Sequence, residues 1–284
     1  MRRGFEARMV RRELDLIDQR LVPVGQRIFG EGRTLGIELL LRWRDDDGRL
    51  LPPASLLPRV RAAGLMHEVN EAMLTHAVRF AAACASATEQ PFVSVNVSAA
   101  HLAAPGLASR LADQLAEHGV RPGQVMVEIT ESEYVALDAA WDQAVRELRS
   151  LGIKLAIDDF GSGYSSIERL QHVPVSHIKF DRLLVKSAAG PFGRIVEGVV
   201  RFGAAAGIEM IAEGIETIED LESMQSIGVG AFQGYLFERP TSLGTILNDL
   251  HKDALVDTGQ HPVIAPLPPQ PFSAGPPSPA TPIS

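Results

Sequence analysis

The sequence has little cysteine, no long apolar run and no excess of positive charge, and each shortage excludes a class of protein. Cys84 is the single cysteine among 284 residues, which excludes an internal disulfide framework and a zinc knuckle built of cysteines. No apolar run reaches the roughly 18 residues of a transmembrane helix, so we expect no membrane insertion. The segment MRRGFEARMVRRELDL has no apolar core, so it does not resemble a secretory signal. We expect a reducing, cytoplasmic location.

Charge and missing motifs narrow the function further. The chain has 27 Lys and Arg against 35 Asp and Glu, a formal net charge of −8. Nucleic-acid polymers and membrane surfaces are bound by basic surfaces, so neither is expected as a partner. A small phosphate substrate remains compatible, because bound metal ions can supply positive charge locally. The P-loop, the Rossmann glycine pattern and the GxSxG elbow are all missing, so Walker-type hydrolysis, hydride transfer and serine-esterase chemistry lack support.

The composition divides the chain into three parts. Hydrophobic residues make up 45% of the chain, and its length suits a single α/β barrel of about 250 residues. We predict a globular domain over residues 20–250, preceded by a short lead-in helix over 1–19. Residues 251–284 contain nine of the 19 prolines, all from His261 onward. Proline lacks an amide donor, so this part is predicted to be a disordered or polyproline tail; a ligand for a proline-recognition module is the alternative.

Inside the domain, short β-type runs alternate with helical patterns, which predicts a (β/α)8 barrel of the TIM type more than an open sheet. Glycines mark four of the expected helix ends, at residues 119, 152, 207 and 228. Helical patterns cover residues 55–64, 68–86, 107–118, 136–151, 167–172, 192–206 and 217–226. The predicted strands are Leu21–Val24, Leu35–Leu41, Phe92–Asn96, Val125–Ile129, Lys154–Ile157, Ser176–Phe180, Ile208–Ala212 and Ala231–Gln233.

The first two strands are joined by too few residues for a crossover helix, so we expect them to pair antiparallel. If the second strand is the reversed one, Glu38 at its beginning lies at the same barrel face as the carboxyl ends of the other strands. Nearly all of the remaining predicted strands have a polar residue at their carboxyl end. Any one of them alone is an ordinary strand-end polar group, but together they predict a site at one barrel mouth: Glu38, Asn96, Glu128, Asp158, Asp159, Lys179, Glu213 and Gln233.

Such a ring of carboxylates is too repulsive without cations. Oxygen ligands without a nearby histidine or cysteine favour Mg²⁺ or Mn²⁺ over zinc. The neighbours Asp158 and Asp159 are suited to bind two ions, and paired ions are used to cleave phosphate esters. Lys179 can hold or deprotonate the attacking water. The sequence DDFGSGYSS then forms either a routine turn with Ser165 or Ser166 as helix N-cap, or a mobile lid that controls metal occupancy.

Seven ordered motifs between about Leu21 and Pro240 resemble the EAL family of cyclic di-GMP phosphodiesterases. They read GIELLLRW, SVNVS, VEITES, AIDDFGSGYSS, HIKFD, IAEGIET and FQGYLFERP. The resemblance implies a TIM-like barrel with an antiparallel first strand. It also implies hydrolysis of cyclic di-GMP to linear pGpG with two ions of Mg²⁺ or Mn²⁺. It also implies a homodimer.

Carried over motif by motif, the resemblance assigns roles to individual residues of this chain. Lys179 corresponds to the water-positioning lysine, and Glu213 supports the metal and water site together with Gln233. Glu131 corresponds to the acid that anchors the DDFG loop. The substrate residues are Gln26, Arg42, Gln233 and Glu216, with Arg42 on the phosphate. The metal ligands are Glu38, Asn96, Glu128, Asp158 and Asp159, the last for a second ion.

Three positions depart from the family pattern. The name-giving triplet reads Glu38-Leu39-Leu40, with Leu39 in place of alanine. The family's Y-Q-P-I appears as Gly25-Gln26-Arg27-Ile28, which makes Gln26 the substrate glutamine; placing Pro23 on the family proline would put Val22 there instead. Gly230 stands where the family often has aspartate. The departures leave a second hypothesis open, a degenerate domain that binds cyclic di-GMP or a protein partner without catalysis.

Overall fold

The computed structural model describes residues 20–87, 90–135, 139–161 and 175–253. The predicted lead-in helix over 1–19, the helix predicted at 167–172 and the tail from residue 254 onward lie outside the described residues. Within the described ranges, none of the helices is long and apolar enough to cross a membrane.

Eight strands form a closed barrel, which confirms the predicted fold class. The strands of the sheet are β1 Leu21–Gly30, β2 Arg33–Arg44, β3 Leu50–Leu51, β4 Phe92–Asn96, β5 Val125–Thr130, β6 Lys154–Phe160, β7 His177–Phe180, β8 Glu209–Ala212, β9 Ala231–Phe232 and β10 Thr241–Ser242. In the order of hydrogen bonding, the ring runs β1-β9-β8-β7-β6-β5-β4-β2 and closes through a direct pairing of β1 with β2. The two short strands β3 and β10 extend the sheet at β2 and β1.

The reversed strand of the barrel is β1, which confirms the antiparallel first strand that the family resemblance implies. The alternative, in which β2 is the reversed strand, is wrong. β1 runs antiparallel to both β2 and β9, whereas β2 runs parallel to β4. A two-residue turn joins β1 to β2, and both Glu31 and Gly32 have positive φ, 53° and 76°. Turns of this kind match the twist of a hairpin, so both strands extend further than the sequence pattern predicted. Glu38 consequently lies within β2, where it is paired with Gln26 and Ser94.

Helices cover the outside of the barrel, and their positions largely match the predicted helical patterns. The four glycines predicted to end helices all have positive φ, between 66° and 97°. Short helices after β4, β5 and β7, and the last helix, were not predicted. The α-helices are α1 Pro53–Ala63, α2 Met66–Ala83, α3 Ala99–Leu102, α4 Leu107–Glu117, α5 Glu131–Val135, α6 Ala139–Ser150, α7 Arg182–Ala188, α8 Gly193–Ala206, α9 Ile218–Ser226 and α10 Leu243–Asp253.

The barrel separates two apolar regions. The larger one lies between the sheet and the surrounding helices and contains most of the buried side chains. A small second cluster joins Ile28, Ile211 and Ala231, with Leu35 and Phe92 packed against it. Ile28, Ile211 and Ala231 each lie two residues from a polar residue of the predicted site, on the same face of their strands. Apolar side chains therefore fill one end of the barrel interior, and the polar site occupies the other end.

The carboxyl-terminal boundary of the domain gives a first prediction. Helix α10 contributes Ile246 and Leu250, which are 1% and 4% exposed, to the core. Ending the chain after Asp253 keeps both side chains, so we expect the melting temperature of the full chain. Ending it after Ser242 removes both, and each lost apolar side chain of this size costs about 2–5 kcal/mol. Thermal unfolding followed by circular dichroism measures both truncations; a drop of many degrees after Asp253 would place the boundary further along the chain.

Candidate active site

Four carboxylates surround a buried lysine inside the barrel. The Lys179 side chain is fully buried, and its Nζ lies 2.6 Å from Glu213 Oε1 and 2.9 Å from Glu128 Oε2. Glu38 Oε2 and Asp158 Oδ1 follow at 3.3 and 3.4 Å. These residues come from β2, β5, β6, β7 and the end of β8. The structure thus brings together side chains that the sequence placed on five separate runs.

Amide side chains connect this cluster to the neighbouring strands. Asn96 Nδ2 donates to Glu38 Oε1 at 3.1 Å and to Glu128 Oε2 at 3.3 Å. Gln233 Nε2 donates to Glu38 Oε2 at 2.8 Å and to Gln26 Oε1 at 3.2 Å. Gln26 lies in the same network, whereas the alternative position Val22 is paired with Arg42 further along the hairpin. Glu38 is therefore held from both sides of β2.

The two adjacent aspartates reach the same end of the barrel because β6 is irregular there. Successive side chains of a regular strand point to opposite faces of the sheet. The β6–β7 register shifts between Ile157 and Phe160, and Asp159 has a φ of 56°, which is uncommon for a residue with a side chain. Oxygen atoms of Asp158, Asp159 and Glu213 consequently lie within 4.8 Å of one another. A cavity of about 280 Å³ beside Asn96 is lined by both aspartates.

The charges of the cluster perturb the acidity of its members. Burial raises the pKa of Glu128 to about 8, although Lys179 opposes the shift. Burial and the neighbouring Asp158 raise the pKa of Asp159 to about 6. Burial also raises the pKa of Glu213 well above its ordinary value. For Lys179, burial lowers the pKa, but the surrounding carboxylates outweigh it and raise the pKa overall. One lysine therefore does not offset all of the negative charge gathered here.

The donor atoms of the cluster suit a metal ion. Glu38, Glu128 and Asp158 form one group of carboxylates whose oxygen atoms lie within 4.8 Å of one another, and Asp158, Asp159 and Glu213 form a second group. Among the described residues, the buried Glu128 Oε1 and Gln233 Oε1 accept no hydrogen bond. Buried oxygens of this kind normally have a partner, and carboxylate and amide oxygens are ligands for hard divalent cations. The acidic residues could therefore hold a metal ion.

Glu131 makes the kind of contact expected of a loop anchor. The side chain is 1% exposed at the start of α5, and its Oε2 accepts a hydrogen bond of 2.9 Å from the backbone amide of Gly161. Gly161 directly follows the strand that carries Asp158 and Asp159. Residues 162–166 of the proposed loop lie outside the described residues. The contact joins the ends of β5 and β6 behind the acidic cluster.

Glu131→Ala should weaken activity without removing a metal ligand, because the Gly161 amide loses its acceptor. Residues that orient metal ligands typically contribute about 10–100-fold to metal affinity, so we expect a loss in this range that extra Mn²⁺ partly restores. Glu131→Gln, which keeps an acceptor oxygen, is the matched control and should lose less. Activity measured over a series of Mn²⁺ concentrations tests this. An unchanged metal affinity with no rescue would argue against anchoring.

Two predicted site residues lie outside the cluster. Arg42 is on the same face of β2 as Glu38 but four residues further along, about 13 Å at the rise of a strand, and its Nη1 donates to the Leu41 carbonyl. Glu216 is paired with Arg182 Nη2 at 2.5 Å, outside the described contacts of Lys179. Among the described residues, no hydrogen bond or ion pair joins Arg42 or Glu216 to the acidic cluster.

Gly25 and Leu39, two residues that depart from the family pattern, lie opposite each other on neighbouring strands. Gly25 is paired with Leu39 in the β1–β2 register, and Leu39 is 1% exposed. A Cβ atom added to Gly25 would lie 2.5 Å from Ile246 and 3.1 Å from Leu243, because α10 packs directly on this glycine. Glycine at position 25 thus lies opposite leucine at position 39, which is larger than the alanine of the family motif. The Leu39 side chain is packed in the core. Gly230 has open space at its Cβ position, and Gln233 keeps its backbone bond to Ala212.

Glu238 is a residue of the site region that the sequence analysis did not single out. Its backbone carbonyl accepts a hydrogen bond of 3.1 Å from Gln26 Nε2, and its carboxylate binds Arg27. The two partners are more than 200 positions away in the chain, so no local pattern indicates the contact. The only available signal was that Glu238 lies five residues after Gln233.

Comparison with known proteins agrees with this geometry. The family model described as the EAL domain matches residues 8–240. The oxygen sensor protein DosP of Escherichia coli is 33% identical over 218 residues, which cover 75% of this chain and 27% of DosP. The cyclic di-GMP phosphodiesterase RocR of Pseudomonas aeruginosa is 32% identical over 211 residues, which cover 74% of this chain and 54% of RocR. The chain therefore spans only part of the length of these curated relatives.

Solved structures show the same likeness. The PaMucR phosphodiesterase in complex with c-di-GMP superposes with a TM-score of 0.76 at 28% identity, over 84% of this chain and 98% of that one. Klebsiella pneumoniae BlrP1, in a manganese and cy-diGMP complex, gives a TM-score of 0.69 at 32% identity over 78% of this chain and 56% of that one. With the family model covering most of the described barrel, this chain belongs to the EAL domain family.

Proposed function

We propose that this chain is a metal-dependent phosphodiesterase that hydrolyses cyclic di-GMP to linear pGpG and so lowers the level of this second messenger. The observation that carries the proposal is the convergence of four carboxylates on Lys179. These residues, Glu38, Glu128, Asp158 and Glu213, are the acidic residues that the family resemblance assigns to the metal and water site. The names of RocR and of PdeB from Shewanella oneidensis, both cyclic di-GMP phosphodiesterases, support the same substrate.

Two ions of Mg²⁺ or Mn²⁺ are proposed as cofactors. Glu38, Asn96, Glu128 and Asp158 would hold the first ion, and Asp159 would hold the second with Asp158 between them. When bound, such ions stabilise the charge that develops on the phosphoryl oxygens and increase the acidity of water. Asn96 donates its amide N–H to Glu38 and Glu128, which leaves its amide oxygen available as a ligand. The manganese complex of BlrP1 supports the choice of metal.

The protein side chains would position the reactants. Hydrolysis to pGpG joins a water oxygen to phosphorus and breaks the bond from phosphorus to the 3′ oxygen, which takes up a proton. We assign Lys179 to position the water and offset phosphoryl charge, and Glu213 to hold Lys179 through their contact of 2.6 Å. Arg42 is assigned to a substrate phosphate. Gln26, Gln233 and Glu216 are assigned to binding the substrate near the mouth.

One experiment tests the activity. Purified protein is incubated with cyclic di-GMP and Mn²⁺, and the products are separated by chromatography; we expect pGpG to form and EDTA to stop its formation. The alternative is a domain that binds cyclic di-GMP without catalysis, which the altered first strand suggested. Binding without pGpG under Mg²⁺ or Mn²⁺ would favour that alternative. The position of Gln26 within the Gln233 and Glu38 network supports the active enzyme.

A homodimer in the cytoplasm and the domain limits 20–250 belong to the same proposal. Leu183, Phe192 and Ile195 on α7 and at the start of α8 are each more than 60% exposed, and large exposed apolar side chains are typical of protein interfaces. Light scattering coupled to size-exclusion chromatography measures the mass in solution. A mass near 30.7 kDa at all concentrations would exclude the dimer.

Gln26→Ala should raise the Michaelis constant for cyclic di-GMP more than it lowers turnover. An amide that contacts the substrate in both ground state and transition state contributes mainly to binding, and one hydrogen bond corresponds to about 5-fold. Steady-state kinetics of Gln26→Ala are compared with those of Val22→Ala, the residue at the alternative position. Kinetics changed by Val22→Ala but not by Gln26→Ala would favour the other alignment.

A further inference from the structure

A charged pair ties β1 to the segment that follows β9. Both carboxylate oxygens of Glu238 bind Arg27: Oε1 accepts from the Arg27 backbone amide at 2.7 Å, and Oε2 accepts from Nε at 2.8 Å. Nη2 of the same guanidinium lies 2.6 Å from Oε2. The two side chains are only 9% and 14% exposed. Three contacts to one carboxylate in a largely buried place restrict the position of Glu238 strongly.

The pair lies on the outer face of β1, behind the site. Gln26 points into the barrel, toward Gln233 and Glu38, so its neighbour Arg27 points outward. Phe29 follows on the same outer face and stacks on Phe237 at a ring distance of 5.1 Å. The Arg27 guanidinium also lies 5.2 Å from the centre of the Phe29 ring. Two successive contacts, Arg27 with Glu238 and Phe29 with Phe237, therefore fix this segment to the outside of β1.

A line of hydrogen bonds continues from the pair into the site. The Glu238 carbonyl accepts from Gln26 Nε2 at 3.1 Å, and Gln26 Oε1 accepts from Gln233 Nε2 at 3.2 Å. Gln233 Nε2 also donates to Glu38 Oε2 at 2.8 Å. Both ends of the Gln26 side-chain amide are thus used, one of them by the residue that Arg27 holds. A shift of Glu238 would release Gln26 and change its contact with Gln233.

Arg27 stands at one of the positions where this chain departs from the family motif. The motif that this segment resembles reads Y-Q-P-I, with proline where Arg27 stands. Proline has no backbone N–H and no cationic group, so it could offer Glu238 none of the three contacts. Arginine at position 27 is therefore matched here by a carboxylate at position 238.

We propose that Arg27 and Glu238 are positioning residues that set the orientation of Gln26, and through it of Gln233, for binding cyclic di-GMP. The assignment of the substrate rests on the proposed function, but the orientation of the two glutamines does not. Neither Arg27 nor Glu238 is a catalytic residue, because both act through Gln26.

Graded substitutions separate the contacts of the pair. Arg27→Ala removes the guanidinium and keeps the backbone amide, whereas Arg27→Pro removes both. Glu238→Gln keeps an acceptor for that amide, and Glu238→Ala keeps none. We expect Arg27→Pro and Glu238→Ala to raise the Michaelis constant for cyclic di-GMP roughly 5- to 20-fold, with a smaller change in turnover. Arg27→Ala and Glu238→Gln should have intermediate effects, and the Arg27→Ala, Glu238→Ala double variant should be no worse than Glu238→Ala alone.

A second ion pair gives the matched control. Arg110 Nη2 lies 2.9 Å from Glu71 Oε1 and joins α4 to α2, away from Gln26. Arg110→Ala should lower the melting temperature but leave the Michaelis constant unchanged. If the Arg27 and Glu238 variants also lower only the melting temperature, the pair is purely structural and the proposal is overturned.

A readout that needs no hydrolysis keeps the two proposals apart. The side-chain amide resonances of Gln26 and Gln233, followed by nuclear magnetic resonance, should shift in Glu238→Ala and stay in place in Arg110→Ala. This result would support the positioning role even if the parent protein formed no pGpG, in which case the proposed function alone would fail. Unchanged resonances of both glutamines in Glu238→Ala would overturn the positioning role whatever the activity.

Discussion

Lys179→Ala should abolish most of the turnover while the protein still binds metal and cyclic di-GMP. The ammonium group has no lone pair for a metal ion, so its removal takes no ligand away. Positioning of the reacting water and stabilisation of charge each contribute about 10²–10⁴-fold, and we expect a loss in that range. Single-turnover rates are measured beside calorimetric binding of Mn²⁺ and cyclic di-GMP. Hydrolysis near the parent rate would make the lysine structural.

The surroundings of Lys179 require a control for folding. Its Nζ is within 3.4 Å of four carboxylates, so without a metal ion the variant leaves buried negative charges unpaired. Mn²⁺ should therefore raise the melting temperature of Lys179→Ala more than that of the parent protein. Lys179→Met fills more of the vacated volume and should fold better while losing the same activity. If Lys179→Met keeps full turnover, the charge of Lys179 has no part in the reaction.

Asp158→Asn should lose metal binding and activity together, since Asp158 belongs to both groups of close carboxylates. Loss of a shared ligand removes several kcal/mol of charge stabilisation, which corresponds to a fall in activity of at least about 10³-fold. Asp159→Asn should affect mainly the second ion and leave a protein that binds one. Calorimetric titration with Mn²⁺ gives the number of ions bound by each variant.

Replacing Asp159 by asparagine should keep the backbone conformation of the parent protein. Asp159 has a φ of 56°, and asparagine tolerates this left-handed conformation better than alanine does. Asp113→Asn, on the outer helix α4, is the control for a general loss of negative charge. Equal metal stoichiometry in Asp158→Asn and Asp159→Asn would show that the two aspartates do not divide the ions as proposed.

Local features of the sequence determined the type of fold and most of the site positions. Short apolar β-type runs predicted the core strands, and glycines at residues 119, 152, 207 and 228 marked helix ends, because both patterns depend on near neighbours in the chain. The same patterns placed Asn96 at a strand end and Lys179 within another. These inferences required no knowledge of which strands are adjacent.

Contacts between distant segments were decided only by the tertiary structure. The hairpin turn at Glu31 and Gly32 made β1 the reversed strand and placed Glu38 within β2, whereas the sequence pattern allowed β2 to be reversed. The irregularity in β6 turned Asp158 and Asp159 toward the same mouth, although adjacent strand residues ordinarily face opposite sides. Strand register depends on the closure of the whole barrel, and for this reason Arg27 meets Glu238, and Gly25 meets Leu39, only in the folded chain.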